Sequence, residues 1–397
     1  MWKRPKLFKK SIVIKELTTV SQLDFFSSKE TPFYYYDLSL LERTLASLNK
    51  ANRYGYHVHY ALKANNNAPI LDKIKSAGLG IDCVSGNEVK IALENGFTSD
   101  QIVLAGVGKT DKEIAYSIDQ NIFSFNVESI EELGVINEIA SSKGKIPNIS
   151  IRVNPEIDAG THEYITTGSK GNKFGVSRSE LLNSLDIIKG FDHINFIGVH
   201  YHIGSQITDM DRFVNLCERV NTIQEALVAA GFRLPHLNVG GGLGINYEEP
   251  DTNDIPDFET YFSLFNEHLN LLPGQELHFE LGRSIVGQCG SLITKTLYVK
   301  ESGGTTFLIL DAGMTDLMRP ALYQASHKIE SLSGNADMAI YDVVGPICES
   351  SDSFGKQIEL PVTKRGDLIR ICSAGAYGET MKNSYNARDL AKAYYSE

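Results

Sequence analysis

No stretch of this 397-residue chain is long and apolar enough to span a bilayer. No apolar segment of secretory type follows the basic start Met1-Trp2-Lys3-Arg4-Pro5-Lys6-Leu7-Phe8-Lys9-Lys10, which reads as a mobile tail. Cysteine is sparse: Cys83, Cys217, Cys289, Cys348 and Cys372 are odd in number, scattered, and never spaced as CxxC. That usage speaks against a disulfide framework and a structural zinc, and fits a reducing, cytoplasmic compartment. There are no internal repeats and no low-complexity linker. A net charge of −11 argues against partnership with nucleic acid or anionic membranes, though local arginines can still hold a small anion.

Hydrophobic residues make up 42% of the chain, enough for a sizeable core, and the length suits two or three domains. Eight short apolar runs read as strands: Val58–Leu62, Gly80–Val84, Gln101–Ala105, Ile122–Asn126, Ile149–Val153, Phe196–His202, His236–Val239 and Leu277–Leu281. Segments of helical period lie between them, among them Ala68–Ser76, Glu88–Asn95, Ile130–Ser141, Ser179–Lys189, Phe213–Ala230 and Tyr261–Leu271. This alternation predicts an α/β fold, a (β/α)8 TIM-like barrel over residues 37–283. A doubly wound open sheet is the structural alternative, but no GxGxxG follows an early strand. Beyond Arg283 the texture turns β-rich, at Leu292–Val299, Thr305–Leu310, Ala339–Val344 and Leu368–Cys372. Residues 284–397 are therefore expected to form a mostly antiparallel β-domain. The N-terminal segment 1–36, with Phe33-Tyr34-Tyr35-Tyr36, is expected to add a strand to it.

In such barrels the working groups sit at the C-terminal ends of the strands. The first run ends at Lys63, just before an Asn cluster. An amine on an apolar stem, partly stripped of water, is a nucleophile toward carbonyls; it reads equally as a lysine snorkelling to solvent. The second run leads into Ser85-Gly86-Asn87-Glu88, where Glu88 reads as part of a capping box. The fifth ends at Arg152-Val153-Asn154-Pro155. The sixth carries His200 and His202, which alternation places on one face, toward the barrel mouth. The seventh leads into Gly240-Gly241-Gly242-Leu243-Gly244, where backbone N–H groups of such barrels bind phosphate. The eighth ends Glu280-Leu281-Gly282-Arg283, an acid and a guanidinium that suit two poles of one ligand or an ordinary salt bridge. A lysine nucleophile, a phosphate cradle, a stacking histidine and a carboxylate on one rim point to pyridoxal 5'-phosphate.

Five motifs carry a resemblance: Tyr60-Ala61-Leu62-Lys63-Ala64-Asn65, His200-Tyr201-His202-Ile203-Gly204-Ser205-Gln206, the glycine run, Cys348-Glu349-Ser350-Ser351-Asp352 and Gly375-Ala376-Tyr377-Gly378. In this order, from about Thr31 to Arg388, the chain resembles the fold-type III pyridoxal-phosphate-dependent decarboxylases. The resemblance implies that Lys63 carries the cofactor, His202 stacks on it and Glu280 faces its ring nitrogen. It places Asp82, Ser205, Gly240, Gly241, Gly242, Gly282, Arg283 and Tyr377 around the cofactor. Arg283, Arg319, Tyr323, Glu349 and Tyr377 would meet a small diamino acid substrate. Cys348 would handle a proton, reaching in from the second subunit of a homodimer with shared active sites. No metal is implied. Leu281 stands where the family commonly has Pro, and Ser351 where it commonly has Gly. Arg319 and Glu349 together suit a distal carboxylate and ammonium, which favours meso-2,6-diaminopimelate going to L-lysine and CO2, the last step of lysine biosynthesis. Decarboxylation of carboxynorspermidine or ornithine, or a non-catalytic relative, are the alternatives. Either Cys348 or Lys63 would supply the closing proton.

Overall fold

The computed structural model describes residues 20–157, 173–332 and 336–397. The basic start and the rest of 1–19 lie outside the described residues. The chain divides into two compact units: Leu41–Ile245 with Ile255–Ile285, and Met1–Leu40 with Asn246–Asp254 and Val286–Glu397. Among the described residues no helix is long and apolar enough to cross a membrane.

The first strand, β1 (Phe33–Tyr36), belongs to the second unit. The first unit is a closed barrel of eight parallel strands. They are β2 (His57–Ala61), β3 (Gly80–Cys83), β4 (Ile102–Leu104), β5 (Ser124–Val127), β6 (Asn148–Arg152), β7 (Asn195–His200), β8 (His236–Asn238) and β9 (Glu276–Leu281). Closure comes from β2 pairing with β9, His57 opposite His278 and His59 opposite Glu280. Helices follow the strands because turn chemistry starts them. Ser85, Thr110, Ser129 and Ser177 each accept the N–H of a glutamate three residues on, quenching a donor the helix cannot use. Along β9 the two faces part cleanly. Phe279 packs on Tyr56, Tyr261, Phe262 and Phe265, toward the outer helix Phe258–His268. Alternation therefore turns Glu276, His278 and Glu280 into the barrel.

Three details differ from expectation. The helix expected over Ser179–Lys189 is two short ones, Arg178–Asn183 and Leu185–Lys189, meeting at Ser184. β7 stops at His200, so His202 belongs to the following loop and strand alternation positions only His200. The chain leaves the strand there because Gly204 and Gln206 take positive φ, and Gln206 is tied at both ends of its amide to the backbone of Ile245. Glu88 accepts from Val84 N–H at 2.7 Å, one residue before the position a reciprocal capping box requires. The amphipathic helices Leu38–Ala51 and Asp111–Gln120 add to those expected.

Among the described residues the second unit is one eight-stranded sheet. After β1 it comprises β10 (Gly290–Ser302), β11 (Thr305–Leu310), β12 (Ile329–Ser331), β13 (Met338–Val344), β14 (Ser353–Pro361), β15 (Leu368–Ile371) and β16 (Lys392–Tyr395). Five pairings are antiparallel; β1 with β16 and β11 with β13 are parallel. The N-terminal strand β1 does join this sheet, between β10 and β16. Phe26, Phe33 and Ile293 are buried together there.

Candidate active site

Lys63 lies in a single 3-10 turn, Leu62–Ala64, immediately after β2. Its Nζ stands 3.3 Å from Oδ2 of Asp82, which ends its side chain fully buried inside β3. Burial first, then the charge of Glu280, raises the Asp82 carboxyl above the usual carboxylate range, against the pull of Lys63. Glu280 goes the other way. Burial opposes its ionisation, but His200 and Lys63 hold it below the usual range. Three strands deliver its partners. Asn126 Nδ2 on β5 and Asn238 Nδ2 on β8 each donate to Oε1 at 2.8 Å, and His200 Nε2 on β7 lies 3.0 Å from Oε2. Of two neighbouring buried acids, Glu280 is the one built to stay charged.

His202 accepts the Gly241 N–H at Nδ1, 3.2 Å. Loss of hydration, then Arg152 and Lys63, keep its ring well below the usual imidazole range and so neutral. The glycine run is dictated by backbone crowding. A Cβ on Gly241 would stand 1.8 Å from the Glu280 carbonyl, and one on Gly240 2.2 Å from that of Tyr201. The Gly240 N–H is taken by Asn238 Oδ1 at 2.8 Å. Ser205 Oγ accepts from Arg283 Nε and Nη2 at 3.3 and 3.1 Å, and Arg283 is only 5% exposed. The Gly282 carbonyl accepts from Ile285, opening the short helix that begins at Arg283. Leu281 simply extends β9 opposite Tyr60, so the absence of proline leaves the strand regular.

The other expected residues belong to the β-rich unit. Arg319 is 3% exposed. Its guanidinium lies 4.3 Å from the Tyr247 ring centre and its Nη1 2.7 Å from His327 Nε2. His327 Nδ1 faces the Cys372 carbonyl at 2.8 Å. A carbonyl only accepts, so Nδ1 carries the proton and Nε2 accepts from Arg319. Tyr323 closes the same short helix, Arg319–Tyr323. Cys348 is exposed, and Glu349 Oε1 accepts from Tyr385 Oη at 2.6 Å. Asp352 fastens this loop, accepting from Met314 N at 2.6 Å and Ile347 N at 2.7 Å. Ser351 has no positive φ, so the position accepts a side chain without strain. Tyr377 takes a left-handed φ of 57°.

Sequence reasoning did not single out Asn126, Asn238 or His327, and it named His200 without its role. A signal existed for the asparagines: amides in the middle strands of a parallel barrel are depleted, so each needs a reason.

An amine at a strand end beside one buried acid, a second buried acid that meets three side chains and is held ionised, and a glycine run no larger residue could occupy define a barrel enzyme of the pyridoxal type. The donor set fits that cofactor: Lys63 for its carbonyl, Glu280 for a protonated ring nitrogen, and Ser205 with Arg283 for an anion. The model of "Pyridoxal-dependent decarboxylase, pyridoxal binding domain" matches residues 38–287, and the chain belongs to that family of pyridoxal-phosphate enzymes. A "Diaminopimelate decarboxylase" of Bacteroides thetaiotaomicron is 53% identical over 377 residues, covering 94% of this chain and 98% of that one. The diaminopimelate decarboxylase of Helicobacter pylori complexed with L-lysine superposes with a TM-score of 0.89 at 40% identity, over 94% of each chain. That of M. jannaschii in co-complex with L-lysine gives 0.86 at 34%, over 94% of this chain and 89% of that one.

Proposed function

We propose that this chain decarboxylates meso-2,6-diaminopimelate to L-lysine and CO2, closing lysine biosynthesis. The observation that carries the reading is Glu280, buried yet ionised among Asn126, Asn238 and His200, with Lys63 beside Asp82 on the same rim. The L-lysine in two of the related structures supports it from the product side. Pyridoxal phosphate, when bound, supplies the electron sink for loss of the carboxylate. Lys63 binds it through Nζ. Glu280 holds the positive charge of the ring nitrogen, which is why a carboxylate rather than an amide belongs at that position. His202, neutral and fixed by Gly241, would pack against the ring, and Ser205 with Arg283 would take the phosphate. Asp82 keeps the Lys63 amine in place.

On the substrate, Arg319 takes the distal carboxylate. Its guanidinium is already oriented by Tyr247 and His327, so little side-chain freedom is lost on binding. Glu349, positioned by Tyr385, takes the distal ammonium, and Tyr323 and Tyr377 line the same substrate. Cys348 Sγ holds the proton that completes the product. The proposed working form is a homodimer with shared sites, in the cytoplasm; the exposed Cys348 suits delivery to a second subunit.

The test is CO2 release from diaminopimelate, lysine and ornithine by the wild type and by Arg319→Ala. A charge-assisted bond of this kind is worth about 1.5–3 kcal/mol, or one to two powers of ten. Arg319→Ala should lower kcat/KM for diaminopimelate by at least that factor and leave residual turnover of lysine and ornithine within about threefold. A wild type that prefers ornithine, or an equal loss on all three substrates, overturns the reading.

A further inference from the structure

Two exposed stretches of the β-rich unit meet at their tips. One is the loop 348–351 between β13 and β14; the other is the turn 384–387, which leads toward β16. The Cys348 N–H donates to Asn386 Oδ1 at 3.2 Å, and Tyr385 Oη donates to Glu349 Oε1 at 2.6 Å. Adjacent residues of the turn thus hold adjacent residues of the loop, one through its backbone and one through its side chain. Tyr385 takes one carboxylate oxygen and leaves Oε2 for a second donor.

The turn carries backbone strain. Asn386 and Ala387 take left-handed φ of 57° and 55°; asparagine tolerates that region, but alanine disfavours it. The Ala387 N–H meets the Ser384 carbonyl at 2.9 Å, and Asn383 Oδ1 accepts from the Tyr385 N–H at 3.0 Å. Loop and turn are both tied to one stretch, 311–315. Asp352, at the foot of the loop, accepts from the Met314 N–H at 2.6 Å. The Asn383 N–H donates to the Thr315 carbonyl at 3.0 Å, and Arg388 Nη2 to the Asp311 carbonyl at 2.8 Å. The feet are therefore fixed without any contact between the tips. Water competes for exposed hydrogen bonds, so the two bonds at the tips add little to folding. A backbone held off its preferred region around two exposed bonds points to function rather than to stability.

We propose that Tyr385 and Asn386 are positioning residues of the active site that preset Cys348 and Glu349 as one unit; this rests on the roles proposed above for those two residues. Without the turn, the exposed residues 348–351 hang between the buried Ile347 and Asp352, and the Glu349 side chain must give up its torsional freedom when an ammonium arrives. With the turn, the carboxylate is already oriented and the Cys348 backbone already set, so less freedom is lost on binding. The two bonds divide the work. The Tyr385 phenol governs affinity for the distal ammonium, through Glu349. The Asn386 amide governs delivery of the proton, through Cys348. Neither residue need touch the substrate.

L-lysine offers the distal pocket the carboxylate and ammonium that diaminopimelate does; 6-aminohexanoate offers the carboxylate alone. The test measures binding of both to cofactor-loaded protein by calorimetry, for the wild type, Arg319→Ala, Tyr385→Phe and Asn386→Gly. Glycine keeps the left-handed turn and removes only the amide. Tyr385→Phe and Asn386→Gly should each bind L-lysine about three- to tenfold more weakly, and 6-aminohexanoate within about twofold of the wild type. A merely structural loss would weaken both ligands alike. In turnover, Tyr385→Phe should raise KM for diaminopimelate and leave kcat within about twofold, whereas Asn386→Gly should lower kcat about three- to tenfold. Wild-type affinity for L-lysine in both variants overturns the positioning role, as does an equal loss of both ligands. Arg319→Ala keeps this apart from the substrate reading. It should weaken both ligands; if it weakens neither, the substrate reading falls and the positioning role with it.

Discussion

One barrel carries two polar layers two residues apart, and they settle burial in opposite ways. β9 contributes Glu280 to the upper layer and His278 to the lower; β8 contributes Asn238 above and His236 below. In the upper layer Glu280 receives N–H groups from Asn126 and Asn238 and meets His200. In the lower layer His59, His236 and His278 lie at 5%, 2% and 3% exposure, and neither ring nitrogen of His236 has a partner among the described residues. Burial opposes charge in both layers. Above, His200 and Lys63 overcome it and the acid stays ionised. Below, burial is reinforced by the neighbouring imidazoles, which push His236 down to about 3. Burial sets the cost of a charge; the groups aimed at it decide whether the charge survives.

If the chemistry belongs to the upper layer, the largest effect follows loss of its amine. Lys63→Ala should lower CO2 release by on the order of 10⁴-fold or more, whereas His236→Leu should stay within about threefold. Mixing Lys63→Ala with Cys348→Ala subunits should restore part of the activity. No recovery despite demonstrated exchange of subunits would break the shared-site reading.

A smaller loss separates charge from shape. Glu280→Gln keeps the volume and an acceptor but removes the charge, and should cost about 10²–10³ in kcat. It also has a signature in stability. The folded pKa of Glu280 lies below its ordinary 4.5, so its contribution is complete above that pH and is lost as the pH falls below it. Urea unfolding across acidic pH should therefore fall less steeply for Glu280→Gln than for the wild type. Identical slopes would mean that the carboxylate is not held ionised.

The smallest effect sharpens the contrast itself. Asn238→Leu removes a donor from a buried carboxylate and should destabilise by about 1–3 kcal/mol. His236→Leu removes two ring nitrogens that have no partner, and should change stability by less than about 1 kcal/mol in either direction. Urea unfolding at neutral pH compares them; equal losses would erase the distinction between the layers.

Much of this was legible locally. The helix Ala68–Ser76 has the bounds its pattern predicts, because apolar spacing and Pro69 near its start are short-range signals. Strand boundaries drifted by a residue or two, most consequentially at His202, where the Gly204 and Gln206 turn ends β7 early. The strand Ser353–Pro361 was not anticipated. Only two of its nine residues, Phe354 and Leu360, are buried, and its course depends on pairing with β13.

The sequence by itself determined the repeated strand–helix order, the lysine at a strand end and the glycines where backbones meet, since each rests on neighbours within a few residues. Only the tertiary structure decided what surrounds Glu280. Asn126, His200 and Asn238 lie 154, 80 and 42 residues away along the chain. The same holds for His57 and His278, on the first and last strands of the barrel. Parallel strands have no shared turn to set their register, so which side chains share a layer is decided only when the barrel closes.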